Sequence, residues 1–443
     1  MTPAARLQAV IDILGQIEGT AKPVERLLRD WGRAHRFAGS KDRAAIADDL
    51  YAILRHRSSL AWRMGSDTPR ALAIAFAAER AETLFRGEGY GPAALGEDER
   101  AALAHPPPDA PPLHVQSEYP PFLEDELKRA FGDDLLPEML ALQQRAPVDL
   151  RVNRLKAQRD DVLRELRAQG YDAEPTSRSP LGIRLPAGTK NLERTPSFLS
   201  GAFEFQDEAA QLAALLCEAK PGMRVLDLAA GAGGKSLALA AQMQNRGEIV
   251  ATDVRAQSLV ELAGRAKRAG VTIIQTQILP LPHAGGGEGW GEGVSKIERA
   301  VITPSPLPSP PEGGEGTSFQ NVSSLREGEG DSFFDVVLLD APCSGTGTWR
   351  RQPELRWRLT PQRLRELMAT QDELLARAAA QVKSGGRLVY ATCSVLPCEN
   401  EDRIAAFLQS HPDFRRAGED FRASPHSTST DGFYAAVLGR SGV

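Results

Sequence analysis

The sequence is poor in cysteine, with four in 443 residues: Cys217, Cys343, Cys393 and Cys398. So few thiols in so long a chain exclude a disulfide framework. The Cys393–Cys398 spacing, with no other Cys or His cluster beside it, does not match zinc patterns, and no metal is expected. No run approaches the roughly 20 apolar residues needed to span a bilayer. The N-terminal MTPAARLQAVIDILGQIEGT carries acids and lacks the basic start and unbroken apolar core of a signal peptide, so a cytoplasmic protein is expected. A large excess of one charge is also missing. The net charge of −5 speaks against a chain that coats nucleic acid without selectivity. The balance is uneven, however. Residues 279–331 hold eight acids and three bases and account for the whole of it, whereas residues 22–63 carry ten Lys/Arg against five Asp/Glu. That stretch is either a basic patch or a solvated helix face.

A chain of this length is expected to form two or three domains. Residues 1–103 read as all-helical: AARLQAVIDIL, VERLLRDWGRAH and RAAIADDLYAILRHRSSLAWRMG place apolar residues at helical spacing, and Ser40 stands where it would cap the helix through Ile46, Leu50 and Ile53. Proline marks residues 104–121 as a linker. Residues 122–200 mix helices (FLEDELKRAFG, LLPEMLALQQ, and RDDVLRELRAQG ended by Gly170) with short strands (VDLRVN, GIRLP), which predicts a small α+β module. From residue 201 the pattern changes. MRVLDL, EIVATD, VTIIQTQ, FDVVLLD and RLVYATC are near-continuous apolar runs, the signature of strands buried on both faces of a parallel sheet. Helical segments separate most of them, one predicted to start at Thr360-Pro361 and end at Gly385-Gly386. Residues 201–443 therefore read as a doubly wound α/β domain, with FYAAVLGR as its last strand. Residues 279–331 contain eleven Gly and seven Pro, cannot bury a core, and read as a disordered insertion between the third and fourth strands.

MRVLDLAAGAGGKSLALAA is strand, glycine turn, helix, and open α/β sheets bind ligands beside such a turn. A Walker A loop fails because Ala229 stands where its first glycine is required. A GxGxxG fingerprint begun at Gly231 and Gly233 fails at Ser236. A methyl-donor site remains: Asp227 ends the first strand and Asp253 the second, where a carboxylate accepts hydrogen bonds from ribose hydroxyls.

The fourth strand ends in LLDAPCSGTGTWRRQP and the fifth in LVYATCSVLPCENED. Asp340, Cys343 and Cys393 thus fall at the ligand-bearing edge, on strands that are about 4.8 Å apart when adjacent. Free cysteine is ordinarily a small buried hydrophobe. That reading suits Cys217 in AAQLAALLCEA, and Cys398 reads as incidental. Two thiols and a carboxylate at one edge suit a different chemistry. Carbon 5 of cytosine is too weak a nucleophile to take a methyl group directly. A thiolate adding to carbon 6 makes carbon 5 reactive, and an acid at ring nitrogen 3 stabilises the developing charge. A base then removes the carbon-5 proton so that the thiolate can leave. A free thiol has a pKa of about 8.5, so one of the two must be activated by its surroundings.

Through DAPCSGTG, ATCSVLPCENED and LDLAAGAGGK, together with FEFQDEAAQL, LRVN and GFYAAVLGR, the chain resembles the RsmB/Sun-type RNA (cytosine-5) methyltransferases. The resemblance covers nearly everything except the insertion. It implies a class I S-adenosylmethionine-dependent methyltransferase domain, preceded by a small RNA-binding α+β module and a helical NusB-like RNA-binding domain. It implies that Ala229, Ala230, Gly231, Ala232, Gly233, Gly234, Lys235 and Asp253 hold S-adenosylmethionine. RNA is the implied partner, ribosomal RNA ahead of transfer RNA. Cys393 would be the nucleophile, Cys343 would assist product release, and Asp340 would contact both the cofactor region and the base. Lys235 would face the methionine carboxylate or an RNA phosphate. Arg350 and Arg351 would contact phosphate, and Asn153 would lie near the active site. Two positions depart from the family: Ala232 replaces a usual proline, and the third strand offers Gln275 and Gln277 where many members place an acid near the adenine. DNA cytosine methyltransferases attack from a Pro-Cys motif like Pro342-Cys343, so the cysteine roles are open to exchange. Two competing functions are an RNA-binding factor with a decayed catalytic domain and a methyltransferase for protein or small molecules. Intact Asp340, Cys343 and Cys393 oppose the first; the second leaves both cysteines and the N-terminal helices unexplained.

Overall fold

The apolar runs of the C-terminal half become strands whose alternate side chains feed two cores. The computed structural model describes residues 1–20, 22–279 and 333–442; the insertion expected at 279–331 lies outside them except for Leu279, which is buried. Among the described residues the strands are β1 (Val148–Val152), β2 (Glu174–Pro175), β3 (Gly182–Leu185), β4 (Phe203–Phe205), β5 (Arg224–Asp227), β6 (Glu248–Asp253), β7 (Ile274–Ile278), β8 (Phe334–Asp340), β9 (Val382–Thr392), β10 (Phe414–Arg416), β11 (Phe421–Ala423) and β12 (Phe433–Arg440).

The larger sheet runs β10-β12-β9-β8-β5-β6-β7, with β11 paired to β12. β5 through β9 are parallel, and β12 lies antiparallel beside β9. From β5 the chain steps outward to β6 and β7, then returns to the other side of β5 for β8 and β9. That reversal opens a crevice beyond the carboxyl ends of β5 and β8, the place where open α/β sheets bind ligands. On one face Leu226, Val337, Leu339 and Leu388 pack with Leu374 and Leu375 of helix Pro361–Gln381 and Ile404 of helix Glu401–Ser410. On the other, Val225, Val336, Leu338 and Val389 meet Leu237 and Leu239 of helix Gly234–Gln242 and Leu262 of helix Ala256–Ala269. The period-two alternation and the two helical layers are the expected doubly wound domain.

Two helix ends differ from expectation. Thr360 caps helix Pro361–Gln381 as predicted, its Oγ1 accepting from the Arg363 N–H at 3.1 Å. The helix stops at Gln381, not at Gly385-Gly386. Val382 already pairs with Phe334, and Gly385, at φ +72°, lies inside β9 where a bulge interrupts the pairing with β8. Gly39 rather than Ser40 occupies the cap of helix Ser40–Arg55, without a side-chain hydrogen bond.

β1 to β4 form a second, antiparallel sheet in the order β2-β3-β1-β4, covered by Val162, Leu163 and Leu166 of helix Arg159–Ala168. Leu150, Arg151 and Val152 pair with Phe205, Glu204 and Phe203, so this sheet draws its last strand from beyond residue 200. N-terminal to it, helices Pro3–Glu18, Val24–Ala34 and Ser40–Arg55 close around Val10, Ile13, Ile46, Leu50 and Ile53. The proline-rich stretch 104–121 is not wholly a solvated linker. Ser117, Glu118 and Tyr119 are buried, and the Glu118 carboxylate accepts from the Ser58 and Ser59 N–H groups at 2.7 and 3.0 Å. The short helix Glu354–Arg358 docks on the same helical region, where Trp357 Nε1 donates to the Leu54 carbonyl at 2.7 Å. Among the described residues no helix is long and apolar enough to cross a membrane.

Candidate active site

β8 and β9 are in register at Asp340 and Ala391, so the loops that follow them start level at the carboxyl edge. The Ala341 N–H donates to the Ala391 carbonyl at 2.8 Å and the Gly347 N–H to the Cys393 carbonyl at 2.9 Å, which laces one loop to the other. The Sγ atoms of Cys343 and Cys393 come to 3.4 Å, and both residues are half-buried. The hydrogen bond to Cys393, then burial, then the charges of Cys393 and Glu399 hold the Cys343 thiol well above its ordinary pKa.

Asp340 is engaged from below by Lys235, whose Nζ donates to Oδ2 at 2.6 Å. Lys235 is buried at the start of helix Gly234–Gln242, and its ammonium lies 5.0 Å from the centroid of the Phe433 ring. Burial pushes its pKa down, but the charge and hydrogen bond of Asp340, helped by Cys393 and Asp227, leave it above the ordinary value. A cation therefore persists inside the site, bonded to Asp340.

The glycine turn between β5 and helix Gly234–Gln242 is held on several sides. Asp253 Oδ2 accepts from the Gly231 N–H at 2.9 Å, and Thr252 accepts from the Ala230 N–H at 2.8 Å. Gly233 sits at φ +79°, and a Cβ there would come 2.4 Å from Leu262 Cγ, so the turn needs glycine at this point. Arg265 donates to the Ala232 carbonyl at 2.7 Å, and Arg151 from β1 donates to the Gly234 carbonyl at 2.6 Å. The small sheet thus braces the turn. Asp227 is fully buried; its Oδ2 accepts from Ser236 Oγ at 2.6 Å, while Oδ1 has no partner, and burial pushes its pKa up to about 7. Beyond Asp253, Val254 and Ile278 present exposed aliphatic side chains, Ile278 directly opposite Asp253 in the strand register. Gln275 is bonded to Glu248 at 3.1 Å, back from the edge, and Gln277 stands opposite Thr252.

Three further residues expected at the site are bonded to groups of the protein. Arg350 is buried and bonded to Asp431 and Asp207; Arg351 is bonded to the same two carboxylates and, at 3.1 Å, to the Pro147 carbonyl. These ion pairs fix the loop after Cys343 to the start of β12 and to Asp207. Asn153 is buried, its Nδ2 donating to the Gly201 and Ala269 carbonyls at 3.0 and 2.9 Å. It ties the small sheet to the end of helix Ala256–Ala269. Sequence reasoning missed Phe433 beneath Lys235 and the buried Glu399, which bonds the serine that follows each cysteine. The Cys-Ser pairs and the Glu in ATCSVLPCENED were a visible signal for the latter.

Two family models match the chain: one described as 16S rRNA methyltransferase RsmB/F over residues 317–439, and one described as the RsmF/B-like ferredoxin-like domain over residues 119–190. A Synechocystis protein named probable ribosomal RNA small subunit methyltransferase B is 30% identical over 342 residues, covering 74% of this chain and 68% of that one. The ribosomal RNA small subunit methyltransferase B of Sodalis glossinidius is 31% identical over 353 residues, covering 78% and 69%. Among solved structures, PH0851 superposes with a TM-score of 0.72 at 26% identity over 99% of both chains. A methyltransferase homologue from Pyrococcus horikoshii superposes with a TM-score of 0.57 at 25% identity, covering 74% of this chain and 97% of that one. With the strand order, the glycine turn and the paired thiols in place, these likenesses converge: the chain belongs to the RsmB/F family of methyltransferases.

Proposed function

We propose that this protein transfers a methyl group from S-adenosylmethionine to carbon 5 of a cytosine in RNA, ribosomal RNA foremost, by way of a covalent bond between Cys393 and the base. The observation that carries the reading is the 3.4 Å separation of the Cys343 and Cys393 sulfurs beside the Asp340–Lys235 pair.

The residues around the turn fit the donor. Asp227 Oδ1, buried beside the turn without a partner, is an acceptor that lacks a donor. Asp253, Val254 and Ile278 offer a carboxylate flanked by apolar surface, the chemistry of a ribose carrying a flat purine. When bound, S-adenosylmethionine supplies an electrophilic methyl group.

The chain's own groups do the rest. The Cys393 thiolate adds to carbon 6, forming an S–C bond and displacing an electron pair into the ring toward nitrogen 3. Asp340, whose side chain is 33% exposed, presents its carboxyl edge to the base, and Lys235 offsets the negative charge that develops there. After carbon 5 has been methylated, Cys343 gives up its own proton to solvent, its thiolate takes the carbon-5 proton, the carbon 6–sulfur bond breaks, and the ring double bond and the Cys393 thiolate are restored. Cys343 suits that duty. The Cys393 hydrogen bond and charge that hold its proton in the resting site vanish once the Cys393 sulfur is bonded to carbon. The thiol then ionises more readily at the stage when a base is required.

The test is transfer of label from S-adenosylmethionine to ribosomal RNA by three proteins. Cys393→Ala is expected to abolish transfer. Cys343→Ala is expected to accumulate an RNA adduct that survives denaturation. An adduct in Cys393→Ala but not in Cys343→Ala reverses the two roles, and full activity in both variants defeats the reading.

A further inference from the structure

Glu399 is a carboxylate sealed within the site and unused by the chemistry above. It is fully buried, and its side-chain partners among the described residues are all neutral. Burying an anion without a cation is costly, so its placement needs a reason. Its bonds give one. Ser344, which follows Cys343, donates its N–H to Oε1 at 2.8 Å and its hydroxyl to Oε2. Ser394, which follows Cys393, donates its hydroxyl to the same Oε2 at 2.5 Å. Gln371 donates both to Oε1 and to the carbonyl of Pro342, the residue before Cys343, each at 3.0 Å. One carboxylate thus grips both thiol-bearing loops.

The charges around the thiols are arranged asymmetrically. The Lys235 cation bears on Cys393, whereas the Glu399 anion bears on Cys343. Asp340 is bonded to Lys235. Further titratable neighbours among the described residues are Tyr390, whose hydroxyl donates to the Glu399 carbonyl at 2.6 Å and which lies near Tyr434; Cys398, which lies near Glu126 and Asp402; and Arg403, itself paired with Asp372 at 2.7 Å. With both oxygens occupied by donors, Glu399 is not placed to take a proton from a base itself.

We propose that Glu399 is the positioning residue that gives the two cysteines different duties, locking their loops at thiol contact and marking Cys343 as the proton-holding thiol and Cys393 as the attacking one. The high Cys343 pKa, to which the Glu399 charge contributes after the Cys393 bond, burial and the Cys393 charge, agrees with this. The proposal rests on the two-thiol reading of the site, but its test needs neither RNA nor methyl donor, so the two fail separately.

The experiment is alkylation of the full chain with substoichiometric iodoacetamide from about pH 6 to about pH 10, with each cysteine quantified by peptide mass spectrometry. In the native protein Cys393 is expected to react about tenfold or more faster than Cys343 near neutral pH. Glu399→Gln keeps the shape and removes the charge. Folded by circular dichroism, it is expected to bring Cys343 within a few-fold of Cys393 and to move the Cys343 midpoint down by about one pH unit. Glu399→Asp keeps the charge and is expected to keep Cys343 slow, an outcome that a purely structural role would not produce. A folded Glu399→Gln protein with native selectivity and pH dependence overturns the proposal. If that variant does not fold, native protein in which Cys343 reacts first, or a folded Glu399→Asp protein that has lost the selectivity, overturns it equally.

Discussion

Replacing Gly347 by alanine asks whether the spacing of the two thiol loops sets the rate. The Gly347 N–H is bonded to the Cys393 carbonyl at 2.9 Å, and its own carbonyl accepts from the Gly432 N–H at 2.8 Å. A Cβ on Gly347 would lie 2.1 Å from the Gly432 oxygen and 2.6 Å from its Cα, backbone atoms that cannot rotate aside. Ordinary van der Waals contact begins at 3.4 Å, so the Cys343 loop and the start of β12 must part by roughly 1 Å. Overpacking of this kind costs about 1–3 kcal/mol of stability. A displacement of about 1 Å next to reacting groups costs on the order of a hundredfold in rate. Gly347→Ala is therefore expected to remain folded, to lose about 1–3 kcal/mol in urea unfolding, and to transfer label about a hundredfold more slowly at saturating methyl donor. Gly432→Ala, whose Cβ would come 2.5 Å from Val395 Cγ1 and 2.6 Å from Gly347 Cα, is expected to do the same. A folded Gly347→Ala enzyme with the native rate would refute the link between loop spacing and chemistry.

Three further outcomes can be checked. Lys235→Met removes the cation beside Asp340 and is expected to lower the methyl-transfer rate about a hundredfold or more, read as kcat in steady-state assays. Asn153→Ala leaves the Gly201 and Ala269 carbonyls without their shared donor and is expected to lower stability by about 1–3 kcal/mol in thermal or urea unfolding. Asp227 titrates at its ordinary 3.8 when unfolded and at about 7 when folded. Between those values the folded chain keeps a proton that the unfolded chain has lost, so this residue makes stability fall as pH rises, by up to about 4 kcal/mol, with no further loss above pH 7. Asp227→Asn is expected to flatten that part of the curve in the donor-free protein. Parallel urea-unfolding curves for native and variant protein from about pH 4 to about pH 8 would contradict it.

The parts of this molecule that were legible beforehand are those set by local pattern. FDVVLLD and RLVYATC announce buried parallel strands by composition alone, and the strand-end rule then carries Asp340, Cys343 and Cys393 to one edge. The illegible parts depend on which side chain meets which across long stretches of chain. Arg350 and Arg351 read as ligands for phosphate because nothing local reveals that Asp207 and Asp431 neutralise them. Lys235 read as facing a ligand because the Asp340 oxygen that it bonds is 105 residues away. Asn153 sits in a segment next to the site in sequence pattern, yet its amide is used to join two elements. Gly385-Gly386 looked like a helix stop because glycine ends helices as readily as it forms bulges, and only the pairing of Val382 with Phe334 distinguishes the two.

The strand nearest the C-terminus has a consequence for synthesis. Phe433, the ring beneath the Lys235 ammonium, opens β12, and Asp431 and Gly432 immediately before it hold Arg350, Arg351 and the loop after Cys343. A nascent chain in which both thiols have already emerged from the ribosome still lacks those three residues. The two thiols wait on β12 to thread between β9 and β10, so a polypeptide released early carries both sulfurs without the strand that fixes their loops.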